Sequence, residues 1–481
     1  MKSHSIRKAS IINIIGKYIN VFVGLIFSAI LSRILTPKEF GTVAVVTVFT
    51  SFFALIANMG IGPAIIHNKN LSDEDISHIY SFTVWVGLAI STLFALFSLP
   101  LSWFYGDSKY IPIGLLLSIS LLFSTMNIVP NAIFLKNLKF ALINVRTIVV
   151  HVLSSSVSVL LALSGAGYYA IVVNSILTAF FIFIWNYISV KPKFIFKIDT
   201  SRVLQIKSYS SYQFAFSFVN YFSRNLDNIL IGKILGDVSL GFYNKSYHLM
   251  MYPLQYLTHA ISPVLHPILS KHQDDKQYIY NQYMKVVKVL SLLGIFITTY
   301  FFFAADEIIL IMFGDQWNSS IQSFRFLSLS IWAQMVSSSS GSIYQSIGNT
   351  KLLFKTGLIS AIVIVGAILT GVVVKDINAV AISVSVGYII VFMINYVILI
   401  NKGFGYSILL FLKEMAPDLM AFCITFTGSA LICSLKIESL FFSAAYKFIA
   451  IGFIYVLSLI VTKQQKHIRQ IFRFRSKPVI R

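Results

Sequence analysis

An all-α integral membrane protein with about 14 transmembrane helices is the fold class this sequence predicts. Two parallel six-helix repeats are expected around a central cavity, followed by two additional C-terminal helices. Three observations carry the expectation. The 481 residues are 57% hydrophobic and only 11% charged, and the mean hydropathy is +0.80, outside the range of soluble domains. Apolar runs long enough to cross a hydrocarbon core of about 30 Å recur along the whole chain. The second half also repeats the first at a nearly constant offset.

In chain order, spans are expected at 11–34, 40–62, 78–100, 110–135, 142–164 and 168–190, which make a first lobe within residues 1–200. A second lobe, 201–405, takes 209–235, 241–270, 284–304, 321–347, 352–374 and 377–400. The two additional helices, 408–434 and 441–463, fall in 406–465, and 466–481 is a basic tail. The weakest candidates are 241–270, which carries Pro253, Pro263 and Pro267, and the serine-rich 321–347. The apolar run behind Lys2, Arg7 and Lys8 carries Lys17 and ends at Arg33 without a small-residue cleavage site, so it reads as a retained first span rather than a signal peptide. Cys423 and Cys433 lie ten positions apart on one apolar helix. That separation is roughly 15 Å along the axis, too far for a disulfide.

The repeat is seen residue by residue. LSRILTPKEFG at 31–41 aligns with IGKILGDVSLG at 231–241, so that Ile34, Leu35 and Gly41 meet Ile234, Leu235 and Gly241. At the same shift of 200, Asn20 meets Asn220 and Pro63 meets Pro263. Later the shift grows to 209, and Asn186-Tyr187 meets Asn395-Tyr396. An even number of spans per copy keeps both copies in one orientation, related by an axis along the membrane normal.

The net charge of +21 would suggest nucleic acid in a soluble protein. Its distribution says otherwise. With both termini in the cytoplasm, inner segments hold 26 of the 38 Lys and Arg residues and outer ends hold 5. The bias is a topology signal, and no nucleic-acid partner is expected. Loops are short; the longest are 191–208, 271–283 and 305–320. None holds a soluble catalytic domain, which needs about 50 residues or more. No P-loop, dinucleotide fingerprint or nucleophile elbow is present, and neither an enzyme activity nor a cofactor is expected.

The stretch Tyr209–Gly236 draws attention because its polar residues follow one another by three or four positions: Gln213, Ser217, Asn220, Arg224 and Asp227. That spacing gathers them on one face of a helix otherwise made of Phe, Tyr, Ile and Leu. Asn13, Lys17, Asn20, Gly24 and Ser28 form a similar stripe on the first span. An Arg, a Lys or an Asp inside a span must face protein or water, so these stripes are read as the lining of a wet cavity. Arg146 and Arg325 are further candidate cavity cations. The eighth span adds Lys245, His248, His259 and His266. Asp227 is the one clear carboxylate within the spans, so the cations outnumber the anions and the cavity suits an anionic ligand. Asp227, His248 and His259 are candidates for proton coupling. The structural alternatives are an Arg224–Asp227 ion pair, and snorkelling of Lys17, Arg146, Lys245 and Arg325 to an interface. Without a His-x-x-x-His pair or a nearby Cys, no metal site is expected.

LSRILTPKEFGTVAVV and NMGIGPAII, then RNLDNILIGKILGDVSLGFYNKSYHLMMYPLQ and ISPVLHPILS, resemble the polysaccharide flippases, or Wzx-type exporters, of the multidrug/oligosaccharidyl-lipid/polysaccharide superfamily. The nearest subgroup is that of the colanic-acid and teichuronic-acid exporters. The resemblance covers most of the chain and is strongest over 30–66 and 209–270. It implies two six-helix lobes around a central cavity. It also implies a polyprenyl-pyrophosphate-linked oligosaccharide as substrate, moved by alternating access to the outer leaflet of a bacterial plasma membrane, for surface polysaccharide or O-antigen. Other polysaccharide-assembly membrane proteins are expected as partners. The resemblance carries a pyrophosphate role to Lys17 and Arg224, with Asn20, Asn220 and Gln213 beside them. The repeat sets Gly24 against Arg224 and Lys17 against Ser217, so this chain departs from a symmetric site. The rivals are a multidrug/cation antiporter, which would want several cavity carboxylates, a lipid II flippase for peptidoglycan, an integral-membrane polymerase or glycosyltransferase, and a scaffold that transports nothing.

Overall fold

The structure is a computed structural model that describes residues 3–58, 60–68, 70–199, 211–258, 265, 269–435 and 437–465; for 3–14, 67 and 211–217 it describes the backbone alone. His259, Pro263, His266 and the tail 466–481 lie outside the described residues. Among the described residues there is helix and no strand. The reason is physical. In lipid every backbone N–H and C=O must be satisfied within the protein, and a helix does so within one segment.

Contacts divide the chain into two compact units, Met1–Gly241 and Phe242–Arg481. The first contains α1 (Ser3–Ile34), α2 (Pro37–Asn58), the short α3 (Ile61–His67), α4 (Asp73–Tyr105), α5 (Tyr110–Met126), α6 (Ile128–Lys136), α7 (Phe140–Leu163), α8 (Tyr169–Val190) and α9 (Ser211–Ile234). A capping box opens α4: the Ser72 side chain accepts from Asp75 N, and the Asp75 carboxylate accepts from Ser72 N. The fourth expected span is bent where α5 gives way to α6. Pro130 has no N–H for the Met126 carbonyl, and its ring crowds that oxygen. The break leaves Asn127 between the two helices.

The α9 helix, expected to open the second lobe, packs on α2 within the first unit. Phe52 meets Phe218, Tyr221 and Phe222 at ring separations of 4.8–6.0 Å. Tyr105 donates to the Ile229 carbonyl at 3.1 Å. After α9 the chain turns at Gly236, whose φ of 85° favours glycine. It then enters α10 (Gly236–Pro253), which continues as a π-helical segment, Leu254–Thr258.

Gly41 and Gly241, matched by the sequence repeat, meet in space. A Cβ on Gly41 would lie 1.8 Å from the Asp237 carbonyl oxygen, and one on Gly241 would lie 1.9 Å from that of Pro37. Pro37 and Asp237 are themselves separated by 200 positions.

The second unit contains α11 (Lys276–Phe303), the short α12 (Ala305–Phe313), α13 (Ser320–Ser328), α14 (Ile331–Ser337), α15 (Ser340–Ser346), α16 (Thr350–Val373), α17 (Ile377–Ile398), α18 (Ile408–Ile432) and α19 (Leu440–Val461). The expected span 321–347 is three short helices in line. Its serines explain the breaks. The hydroxyls of Ser328, Ser330, Ser338 and Ser340 donate to carbonyls three residues back, and so compete with the helical ladder.

Helix lies at each of the fourteen expected positions among the described residues. Ten of the segments are long and apolar enough to cross a membrane, and the chain is a multi-pass membrane protein. The polar α9 and α10, the broken 320–346 and α18 are not among the ten. Cys423 and Cys433 are both free thiols.

Candidate functional site

The site residues expected from the sequence fall into distinct surroundings. Lys17 on α1 is exposed, and Asn20, one turn later, is half-buried with its amide donating to the Gly16 carbonyl at 3.0 Å. On α9, Asn220 and Arg224 are exposed, whereas Asp227 is 2% exposed. The expected stripe therefore runs from an open surface into the protein. The Asp227 carboxylate accepts the Asn228 backbone N–H at 2.8 Å. Gln213 lies on α9, but its side chain is outside the described residues, as is all of His259.

In the second unit His248 is exposed, and Lys245, one turn earlier, is buried with its ammonium 5.0 Å from the Phe313 ring centre and 5.6 Å from that of Trp317. Both distances suit a cation–π contact. Arg325 pairs with the Asp306 carboxylate and reaches Gln322 at 3.4 Å. Among the described residues, no three His, Cys, Asp or Glu side chains gather to hold a metal ion.

Arg146 is 4% exposed on α7. Its Nη1 donates to Asn186 Oδ1 at 2.5 Å, and Asn186 Nδ2 donates to Asn127 Oδ1 at 2.7 Å. Among the described residues no carboxylate pairs with it, and its Nε has no hydrogen-bond partner. A buried cation is costly without compensation, and the amide chain supplies it.

Asp227 is not alone among the buried carboxylates. Asp418 of α18 is fully buried and pairs with Lys288 of α11 at 2.5 Å. Glu307 of α12 pairs with Lys447 of α19 at 2.5 Å and accepts from Ser443 at 2.6 Å. These two pairs tie the last two helices to the second unit. A third carboxylate, Asp237 at the start of α10, accepts from Lys109 at 2.5 Å, Tyr110 at 2.5 Å and Thr42 at 2.8 Å. Burial alone would lower the Lys109 pKa, yet hydrogen bonds to Asp237 and Asp107 hold it above the ordinary lysine value. The Lys109 backbone N–H and ammonium in turn hold Asp107 below the usual carboxylate range. Sequence reasoning missed these pairs because their partners are separated by more than a hundred positions.

It also missed a groove between α5 and α8. Ser120, Ser124 and Asn127 face Asn174, Ser175 and Thr178 across a cavity of about 480 Å³. A signal was present: 120, 124 and 127 share one helical face, as do 174, 175 and 178.

A profile of the family described as polysaccharide biosynthesis protein matches residues 30–322, more than half of the chain. The chain is 23% identical to the lipopolysaccharide biosynthesis protein WzxC of Escherichia coli K12 over 401 residues, 82% of this chain and 80% of the relative. It is 23% identical to the teichuronic acid biosynthesis protein TuaB of Bacillus subtilis 168, over 68% of each. It is 24% identical to the succinoglycan biosynthesis transport protein ExoT of Rhizobium meliloti 1021, over 72% of this chain and 70% of the relative. Among solved structures, the lipid II flippase MurJ in an inward closed conformation superposes with a TM-score of 0.70 at 15% identity, over 96% of this chain and 100% of that one. An inward-facing multidrug transporter of the MATE family and MOP superfamily gives 0.60 at 13% identity, over 78% of this chain and 92% of that one. The fold is that of this transporter superfamily, and the chain belongs to the polysaccharide biosynthesis protein family.

Proposed function

We propose that this protein flips a polyprenyl-pyrophosphate-linked oligosaccharide from the cytoplasmic to the outer leaflet of the bacterial plasma membrane. It moves the molecule by alternating access, with both termini in the cytoplasm and no covalent step. The observation that carries the reading is the presence of two exposed cations, Lys17 on α1 and Arg224 on α9, on polar stripes of a chain from a polysaccharide biosynthesis family. A sugar head is too polar for the hydrocarbon core and needs a wet path, whereas the prenyl tail stays in lipid. The pyrophosphate links the two and needs cations. Arg224 grips its oxygens in a fork, and Lys17 meets it as a mobile point charge. Asn20 and Asn220 supply neutral contacts beside them. Buried Asp227 and exposed His248 are the candidate coupling groups. Other membrane proteins of polysaccharide assembly are the expected partners.

The test is transport in proteoliposomes. A labelled polyprenyl-pyrophosphate oligosaccharide is followed to the opposite leaflet for wild type, Lys17→Ala and Arg224→Ala. Wild type is expected to move it, and each variant to slow transport by about tenfold or more, as loss of a charge-assisted contact of roughly 1.5–3 kcal/mol implies. Transport at the wild-type rate in both variants would remove these residues from the path. Movement of small organic cations in place of the glycolipid would identify an antiporter, and preference for lipid II would identify a peptidoglycan flippase.

A further inference from the structure

We propose that the groove between α5 and α8 is a saccharide-binding subsite, where the glycan part of the cargo is held apart from its pyrophosphate. The inference rests on the flippase reading above. Its grounds are the lining, the direction of the hydrogen bonds and the size of the cavity.

The lining is uncharged and mixed: Ser120, Ser124, Ser175 and Thr178 bring hydroxyls, Asn127 and Asn174 bring amides, and Ile171, Ala179 and Ile182 bring apolar faces. Such a mixed, uncharged surface offers no counter-charge to a small cation and pairs hydrogen-bonding groups with apolar faces, as the edges and C–H faces of a sugar ring require. It matches a ligand covered in hydroxyls. The groups are also held in place from behind. Thr178 donates to Asn174 Oδ1 at 3.1 Å and lies 2.8 Å from the Ser154 hydroxyl, while Asn174 Nδ2 reaches Ser155 at 3.4 Å. Ser120 donates to the Ser175 carbonyl at 3.1 Å and clamps the two walls together.

The direction of the bonds is set by Arg146. A guanidinium only donates, so the Asn186 atom at 2.5 Å from it must be the carbonyl oxygen. Asn186 therefore turns its NH2 toward Asn127 and takes up the Asn127 oxygen at 2.7 Å. The Asn127 NH2 is thus left as a donor on the wall of the groove, at the end of a chain that starts from a buried cation. Such a chain polarises its last member and strengthens the bond that member gives. Ser124, exposed three residues away on the same face, adds a hydroxyl. Asn127 sits where α5 gives way to α6, three residues before Pro130. The cavity volume of about 480 Å³ falls in the range of roughly 300–1,000 Å³ usual for small-molecule sites.

The experiment uses the full chain in lipid nanodiscs. The probe is the water-soluble repeat-unit oligosaccharide released by mild acid from the lipid-linked pool of the producing strain. Binding is followed by saturation-transfer NMR for wild type, Ser124→Trp, which fills the groove, and Asn127→Leu, which removes the donor at similar volume. Thermal unfolding checks that each variant is folded. Wild type is expected to bind, and both variants to bind about tenfold more weakly or not at all, with a matching rise in the KM for flipping the lipid-linked molecule. Equal binding by wild type and either folded variant overturns the subsite, and so does a wild type that flips the glycolipid without binding the free glycan. A wild type that binds the free glycan yet flips no glycolipid instead overturns the flippase reading.

Discussion

At the scale of single residues, the cations of this protein divide by what faces them. Lys288 meets a carboxylate with no exposure at all, and Lys447 meets Glu307, itself 5% exposed. Breaking a buried pair leaves one charge without compensation, which costs about 3–5 kcal/mol. Lys288→Met is therefore expected to lower stability by about that amount, read as an earlier thermal unfolding transition in detergent. The double variant Lys288→Met/Asp418→Leu should recover most of the loss. A Lys288→Met protein as stable as wild type would show that Asp418 does not depend on its partner. Lys17 and Arg224 are set apart by their exposure. Their substitution is expected to affect transport and leave the fold intact, which makes the proteoliposome comparison informative. Arg146 belongs to neither group. It is buried, and it acts on the α5–α8 groove through Asn186 and Asn127.

At the scale of elements, the close approach of backbone at Gly41 and Gly241 is the most constraining feature. Both glycines sit within contact distance of a carbonyl oxygen that leaves no room for a Cβ. Gly41→Val or Gly241→Val must push the strands of helix apart, at a cost of roughly 1–3 kcal/mol or more. Thermal unfolding should register this for both variants, and full stability in either would mean that the helices do not cross as described. The cluster of Lys109, Tyr110 and Thr42 around Asp237 sits at the same crossing and holds the start of α10. Elsewhere serine and proline shape the elements. Pro130 bends the fourth expected span at Asn127, and hydroxyl-to-carbonyl bonds divide 320–346 into three short helices.

At the scale of the whole molecule, the direction of transport is a question of charge. A pyrophosphate-linked cargo is an anion, and a cytoplasm-negative potential favours its outward movement by about 2.3 kcal/mol per charge per 100 mV. Flipping in proteoliposomes is expected to slow when the potential is collapsed at a fixed pH gradient. If the rate depends instead on the pH gradient alone, a titrating group such as Asp227 or His248 couples the cycle. Titration with a soluble anion such as inorganic pyrophosphate is a useful companion, because competition would place the cargo's charge on the same path.

The sequence by itself determined the class of the protein, the places of its helices and its internal repeat. These depend on properties that are local or additive: apolar runs, the Lys and Arg distribution, and matches such as Gly41 with Gly241. It also selected Lys17 and Arg224, because a polar residue every three or four positions on an apolar helix is visible without a partner. The tertiary structure alone decided which charges are paired. Asp418 finds Lys288 across 130 positions, and Glu307 finds Lys447 across 140. It alone placed α9 on α2, and it alone assembled the α5–α8 groove from two faint polar faces with an arginine behind them. Such contacts join helices far apart in the chain, and helical periodicity specifies which face a residue occupies but not what that face will meet.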